Sequence, residues 1–295
     1  MKVIGLITAR NEDWILGLTL RGAMLIVDEM IVHDHSSTDR TQDIIDAVSQ
    51  ENPGRVHCLR GDHSVWHEAS IRQHLLEEGR KLGATHFWVI DADELLTGNL
   101  LLQIRPMFAS LEPGDFLDLP WFAIWRSLDR RRQDNSYWCG NRTAFGFRDH
   151  PAIHYRARTS TPGYDIHVRE PALPGTRRVF CARHAAGGVM HFATASWARL
   201  VAKSAWYKMM ETVRFAHRTP EKLNAIYDRN INEDGLITEP IKLEWWAPYL
   251  QWRGHVHAEA PSWYDTECQR MWKEYGPSKF AGLELWGVPN GSHTE

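Results

Sequence analysis

The chain has 295 residues, of which 43% are hydrophobic and 24% are charged, so it can bury the core of one large α/β domain or of two smaller ones. Its 34 Lys and Arg against 37 Asp and Glu give a formal net charge of -3, which offers no support for a protein that coats nucleic acid. No apolar run approaches the roughly 20 residues that a membrane helix requires, and no cysteine pair has the spacing of a zinc site. We therefore expect a cytoplasmic protein without a transmembrane segment, and the sequence leaves a peripheral membrane association open.

The first half of the chain alternates short apolar runs with longer amphipathic segments. This alternation predicts an α/β fold with a mostly parallel sheet. The predicted strands cover residues 3–8, 29–33, 56–59 and 86–90, and the predicted helices cover 13–23, 39–49 and 68–82. The first and fourth strands are continuous apolar runs, which is typical of strands covered on both faces.

The pattern changes after residue 115. Further strands are predicted over 116–125, 142–147 and 153–158, and the segment 179–192 is mixed. A helix is predicted over 196–217, capped by Thr194 or Ser196 and ending before Pro220. Beyond residue 234 the sequence is rich in Trp, Pro and Gly and gives weak signals. We expect one domain over 1–234 with a C-terminal extension over 235–295.

Polar clusters follow three of the predicted strands, at residues 8–12, 34–39 and 91–94. In open α/β sheets, ligands bind at the carboxyl ends of the strands, so three clusters at such ends predict a site there. In the third cluster, Asp91 and Asp93 can converge on one hard cation, directly or through water. Mg²⁺ or Mn²⁺ held this way keeps positions open for phosphate oxygens. The alternative is an acidic turn that caps the next helix, and the buried strand and the other two clusters favour the metal site.

The three clusters together resemble the motifs of family-2 glycosyltransferases. Residues 8–12 (T-A-R-N-E) look like the family's A-R-N-E segment, 34–39 (D-H-S-S-T-D) like its D-D-G-S-T-D turn, and 91–94 (D-A-D-E) like its D-x-D-E metal motif. Two residues of the turn, His35 and Ser36, depart from the family's acidic residue and Gly. The resemblance implies the GT-A fold, a Rossmann-like mixed sheet flanked by helices. It also implies a nucleotide-binding half over 1–114 and an acceptor half over 115–234.

The resemblance further implies roles for individual residues in donor binding. Asp34 would accept a hydrogen bond from the base or ribose, and Asp91 would orient the ribose or a metal-bound water. Arg72 either approaches the diphosphate or forms an ion pair with an acidic loop residue. The residues that would bind the nucleotide donor are Thr8, Arg10, Glu12, Asp34, Arg72 and Asp91.

The implied metal ligands are Asp93, with Asp91 beside it, and a late histidine, His191. Either Mn²⁺ or Mg²⁺ is expected as cofactor. Imidazole is a good ligand for Mn²⁺ and a poor one for Mg²⁺. An inverting enzyme also needs a general base near the acceptor hydroxyl. Residues 149–167 resemble the family segment that ends in His-Glu, but Val168 follows His167 here. The candidate catalytic residues are therefore Asp165, His167 and Glu170.

The sequence thus predicts a metal-dependent glycosyltransferase that moves a sugar from a UDP- or GDP-type donor to a hydroxyl acceptor. Inversion is expected, and a retaining mechanism, which needs no base at the same place, is the open alternative. A glycan or a lipid-linked molecule is a candidate acceptor, and no nucleic acid partner is expected. A sugar nucleotidyltransferase is one alternative, although residues 8–12 lack the glycines that cradle a triphosphate. A non-catalytic carbohydrate-binding protein that uses the fourteen Trp residues is the other.

Overall fold

The computed structural model describes residues 1–61, 66–156, 168–173, 178–180 and 187–286 of the chain. The chain divides into two compact units. Unit 1 comprises Met1–Trp121, Asn141–Met190 and Lys242–His257, and unit 2 comprises Phe122–Gly140, His191–Ile241 and Ala258–Glu295. Within the described residues, no helix combines the length and the apolar character that crossing a bilayer requires.

Strands and helices alternate through the first hundred residues. The strands are β1 (Val3–Ala9), β2 (Glu29–Asp34), β3 (Val56–Arg60), β4 (His86–Asp91), β5 (Glu94–Leu96), β6 (Phe116–Ala123), β7 (Arg130–Arg132), β8 (Arg142–Arg148), β9 (Arg178–Phe180), β10 (Val189–His191) and β11 (Thr238–Pro240). The α-helices are α1 (Leu16–Met24), α2 (Thr41–Glu51), α3 (Glu68–Lys81), α4 (Leu101–Ala109), α5 (Trp197–Arg214), α6 (Pro220–Tyr227), α7 (Leu243–Trp246) and α8 (Trp263–Tyr275). Short 3-10 helices cover Gly98–Leu100, Asp228–Asn230, Ala247–His255 and Pro277–Phe280.

The main sheet is mixed: one half is parallel, and the other half contains both antiparallel and parallel pairs. Its strand order is β3-β2-β1-β4-β8-β6-β10-β5, and β9 pairs with β6. The pairs β3–β2, β2–β1 and β1–β4 are parallel, as expected when a helix follows each strand. β8 then runs antiparallel to both β4 and β6. The predicted fold class, a Rossmann-like mixed sheet flanked by helices, is confirmed.

Alternating side chains of the central strands bury both faces of this sheet. Val3 and Ile7 of β1 belong to one core cluster, which includes residues of α1, α2 and α4. Ile4 and Leu6 belong to a second cluster, which includes residues of α3. Because successive side chains point to opposite faces and both are covered, the strand has to be apolar throughout. This requirement explains the continuous apolar run that marks β1 in the sequence.

Most predicted elements of the first half are confirmed with their ends shifted by one to three residues. The first helix begins at Leu16, not at residue 13. Residues 13–15 form a turn before it, in which the backbone carbonyl of Glu12 accepts hydrogen bonds from the N–H groups of Ile15 and Leu16. The strand predicted over 153–158 is wrong for its described residues, 153–156. There His154 forms only an isolated bridge to Ala172, so no ladder extends on either side.

Unit 2 is mainly helical. Ser196 caps α5 by accepting a bond from the backbone N–H of Arg199, and Thr219 caps α6, whose first residue is Pro220. For the helix predicted over 196–217, the structure confirms the cap at Ser196 and an end before Pro220. α5 and α8 pack through buried apolar side chains, among them Met209, Cys268 and Met271. Strands β7 and β11 form a separate antiparallel pair.

Candidate functional site

The carboxyl ends of β1, β2 and β4 lie side by side. In the β1–β2 register Ala9 is opposite Asp34, and in the β1–β4 register Thr8 is opposite Asp91. The three polar clusters predicted from the sequence therefore meet at one edge of the sheet in unit 1. Thr8 and Asp34 are buried there, at 6% and 2% exposure, while Arg10 and Glu12 are half-buried.

The loops that follow β1 and β2 are hydrogen-bonded to each other. The backbone N–H of Asn11 donates to Ser37 Oγ (2.9 Å), and the N–H of Thr38 donates to Asn11 Oδ1 (2.7 Å). The N–H of Glu12 also donates to Thr41 Oγ1 (2.9 Å). The Glu12 carboxylate in turn accepts from the Trp14 indole (2.6 Å). Two loops that are far apart in sequence are thereby fixed as one surface.

The turn after β2 has a conformation that favours glycine, although a serine occupies it. Ser36 has φ 54, in the left-handed region that costs a side chain roughly 1–2 kcal/mol. Its hydroxyl donates to the carbonyl of Gly61 (2.7 Å), and the neighbouring Asp34 Oδ1 accepts from the N–H of Ser37 (3.1 Å). These two bonds offset the strain, at about 1 kcal/mol each. Ser36 is therefore held in a left-handed conformation by bonds within its own turn and to Gly61.

Two histidines and a tryptophan lie beside this turn. The His35 ring meets Trp66 edge-on with centroids 5.0 Å apart, and His33 lies 5.7 Å from His35. Both histidines are buried. Burial, together with the charge of His35, lowers the pKa of His33 from 6.5 to about 4. His33 is therefore neutral in the folded protein at neutral pH.

Acidification should destabilise the protein through His33. The unfolded chain takes up a proton near pH 6.5 and the fold only near pH 4, so stability is lost as pH falls between these values. Between pH 7 and pH 5 we expect this group to cost about 2 kcal/mol. Urea unfolding of the wild type and His33→Gln at both pH values measures the difference. Equal losses of stability in the two proteins would contradict the assignment.

Asp91 at the end of β4 is held by two arginines. Its Oδ1 accepts from Arg72 Nη2 (2.7 Å) and its Oδ2 accepts from Arg169 Nη1 (3.0 Å). Arg72 is 2% exposed and also donates to Glu68 (2.7 Å) on its own helix, α3. Burial acts to lower the pKa of Arg72, but the charges of Asp91 and Glu68 outweigh it and the pKa is raised. The ion-pair alternative predicted for Arg72 is therefore the contact that the structure contains.

Arg169 joins the same turn from a distant segment. It makes a bidentate pair with Glu94, at 2.8 Å and 2.6 Å, and donates to the carbonyl of Val89 (3.0 Å). Glu94 is fully buried, and its carboxylate also accepts from the backbone N–H of Asp91 (2.7 Å). The N–H of Val168 donates to Glu68 (3.1 Å), which anchors the segment to α3. Arg169 thus fixes both ends of the turn that carries Asp93.

Sequence reasoning missed Arg169. Its partners lie 75 to 80 residues earlier in the chain, so no local motif marks the contact. A hint existed in the charge balance: three carboxylates near the end of β4 need compensation if they are buried. Glu68, Asp91 and Glu94 carry three negative charges against two positive charges on Arg72 and Arg169.

The chemistry of this edge fits a divalent cation shared with a phosphate ligand. Asp93, 7% exposed, lies in the β4–β5 turn two residues after Asp91. Among the described residues, no three His, Cys, Asp or Glu side chains are grouped so as to hold a metal by themselves. A Mg²⁺-type site does not require such a group, since it uses one or two carboxylates plus substrate phosphates and water. Both oxygens of Asp91 contact arginines, and direct ligation by Asp93 stays a prediction.

Two of the four remaining predicted site residues, Glu170 and His191, are among the described residues. The Glu170 carboxylate accepts from the backbone N–H of Ala144 (3.1 Å) and from Thr143 Oγ1 (3.3 Å). Asp165 and His167 lie outside the described residues. His191, the last residue of β10, belongs to unit 2, where its ring lies 6.1 Å from that of Trp138. The catalytic and metal-binding roles of these four residues stay predictions.

Comparison with known proteins identifies the family. The sequence profile described as "Glycosyl transferase family 2" matches residues 6–182, which is more than half of the chain. The chain belongs to glycosyl transferase family 2. It is a glycosyltransferase, and its mixed sheet is the GT-A architecture expected for the family. The match covers all three loops of the site.

Similar solved structures are distant from this family-2 chain. S. aureus TarS 1-349 in complex with UDP is 13% identical, with 95% of this chain and 88% of that chain covered and a TM-score of 0.45. The mannosyltransferase PcManGT from Pyrobaculum calidifontis, in complex with GDP-Man and Mn²⁺, is 15% identical, with 43% and 35% covered and a TM-score of 0.30. Glucosyl-3-phosphoglycerate synthase from Mycobacterium tuberculosis is 17% identical, with 41% and 44% covered and a TM-score of 0.29. No similar protein is found among curated sequences.

Proposed function

We propose that this glycosyltransferase is metal-dependent and moves a sugar from a UDP- or GDP-type donor to a hydroxyl acceptor with inversion. The observation that carries the proposal is the meeting of the ends of β1, β2 and β4, which brings Asp34 and the Asp91–Asp93 turn to one edge of the sheet. A glycan or lipid-linked acceptor and a cytoplasmic location remain part of the proposal.

Each loop has a defined task in this proposal. Asp34, held by the N–H of Ser37, accepts a hydrogen bond from the base or ribose of the donor. Asp93 would hold a Mn²⁺ or Mg²⁺ ion, which would supply positive charge to stabilise the leaving diphosphate. Asp91 stays oriented by Arg72 and Arg169, so that it positions the ribose or a metal-bound water. Because these charged groups are already oriented, no free energy is needed to reorganise them when the sugar is transferred.

Inversion requires a base that accepts the proton of the attacking hydroxyl. Glu170 is the candidate whose position is described, and the N–H of Ala144 orients its carboxylate. Asp165 and His167 are the other candidates. Proton NMR of the product formed in the first minutes of reaction reports its anomeric configuration, and a retained configuration would contradict the inverting assignment.

Donor binding should depend on the divalent ion. We expect UDP or GDP to bind at least tenfold more tightly with Mn²⁺ than with EDTA, because Asp93 would hold an ion whose charge attracts the diphosphate. Isothermal calorimetry with UDP, GDP, ADP and CMP, each with and without Mn²⁺, measures this and identifies the base. The nucleoside monophosphate CMP is the control, since it lacks a diphosphate. No binding of any nucleoside diphosphate with Mn²⁺ present would refute the proposed function.

A further inference from the structure

Unit 2 contains a cavity of about 820 Å³ that the proposed reaction does not use. Its wall is formed by α5, by residues after α6, by α8 and by the described end of the chain. This volume is within the range of pockets that bind small ligands, about 300–1,000 Å³. The side chains that decide its chemistry are Trp197, Trp286, Asp228, Asp265, Arg229 and Asn232.

Two indole rings give the cavity flat apolar surfaces. Trp286 is 50% exposed, although large aromatic rings are costly to leave in water. Trp197, the first residue of α5, is half-buried, and the Arg126 guanidinium lies 4.2 Å from its ring centre. That contact fixes the orientation of the Trp197 ring. A ligand in this cavity is therefore offered aromatic faces.

The polar part of the wall combines carboxylates with cations. Asp228, Asp265 and Glu284 line the cavity together with Arg229. The buried Lys208 pairs with Asp228, and the charge of Arg199 acts on Asp265, so three carboxylates face three cations. Asp265 is half-buried, and burial raises the pKa of its carboxyl group. The wall therefore offers hydrogen-bonding groups whose charges are balanced.

A saccharide matches both features of the wall. Its ring has an apolar C–H face that stacks on an indole, and its hydroxyls donate to carboxylates and to amides such as Asn232. A hydrocarbon chain would contact the indole rings but would make no hydrogen bond to the polar groups of the wall. A neutral, hydroxyl-rich ligand with apolar faces contacts both the rings and the polar groups.

We propose that this cavity of unit 2 binds a saccharide segment of the acceptor, separately from the nucleotide donor. The binding of a saccharide is inferred from the cavity alone. That this saccharide belongs to the acceptor rests on the proposed function. The cavity would select acceptors that carry a neutral glycan.

The test uses the full chain without metal or nucleotide. Hexasaccharides of glucose, mannose, galactose and N-acetylglucosamine are the probes, and saturation-transfer NMR and tryptophan fluorescence detect binding. We expect at least one probe to bind, and Trp286→Ala and Asp265→Asn each to weaken its affinity at least tenfold. Tyr275→Ala removes another exposed aromatic ring, 41% exposed and outside the cavity wall, and should leave the affinity unchanged.

The outcomes separate this inference from the proposed function. Thermal melts first establish that each variant is folded, and UDP affinity with Mn²⁺ is measured on the same samples. Unchanged UDP binding with lost saccharide binding supports the inference. No bound probe, equal affinity in the cavity variants, or competition by a short-chain detergent that displaces the probe would overturn it. If wild-type UDP binding fails while the saccharide still binds, the proposed function falls and the cavity assignment stands.

Discussion

Replacing Asp93 by asparagine should lower kcat for sugar transfer about 10³-fold. The change keeps the size of a side chain that is 7% exposed and removes one negative charge from the edge of the sheet. A metal ion contributes several kcal/mol to stabilising the leaving diphosphate, and its loss removes that stabilisation from the transition state. Coupled detection of released nucleoside diphosphate measures the rate, once the donor base is known from calorimetry.

The matched control is Asp43→Asn on α2, where the carboxylate is 73% exposed and lies 3.9 Å from Arg40, which is also exposed. It removes the same charge from an exposed position and should leave kcat unchanged. The Asp93→Asn protein should also lose the Mn²⁺-dependent gain in nucleotide affinity while its thermal midpoint stays close to that of the wild type. A variant that keeps both its activity and its Mn²⁺ dependence would remove Asp93 from the metal site.

Replacing Arg169 by leucine should lower the free energy of unfolding by about 3–5 kcal/mol. The substitution leaves Glu94, which is fully buried, without its bidentate partner, and breaking one side of a buried ion pair has a cost of this size. Arg169→Lys keeps the charge but loses the fork that contacts Glu94 and Asp91 together, so an intermediate loss is expected. Urea unfolding measures all three proteins.

Arg270→Ala is the control for Arg169, because its pairs with Glu267 and Glu274 lie on the exposed face of α8 and should contribute less than about 1 kcal/mol. If Arg169 positions Asp91, its substitution should also change ligand binding, an effect that lost stability alone does not explain. Under conditions where Arg169→Lys is fully folded, its Mn²⁺ and nucleotide affinities should fall, since Asp91 is then held by Arg72 alone. Wild-type affinities in folded Arg169→Lys would reduce Arg169 to a purely structural residue.

Local sequence patterns determined the parallel half of the sheet. The central positions of β1 and β4 are apolar because both faces of the sheet are covered. The positions of Asp34, Asp91 and Asp93 followed, since parallel strands bring their carboxyl ends to one edge. Such features depend on neighbours in the chain and on the geometry of a strand, which a sequence expresses directly.

Long-range contacts decided the rest. Arg169 reaches the Asp91–Glu94 turn across 75 to 80 residues, and Ser36 keeps a left-handed conformation because Gly61 supplies a hydrogen-bond acceptor. The predicted strand over 153–158 is missing from its described part because only one bridge forms there. Burial of a charge, support of a strained turn and completion of a ladder each require a partner that the fold alone brings close. The sequence therefore determined where the site lies, and the tertiary structure decided which charges hold it in place.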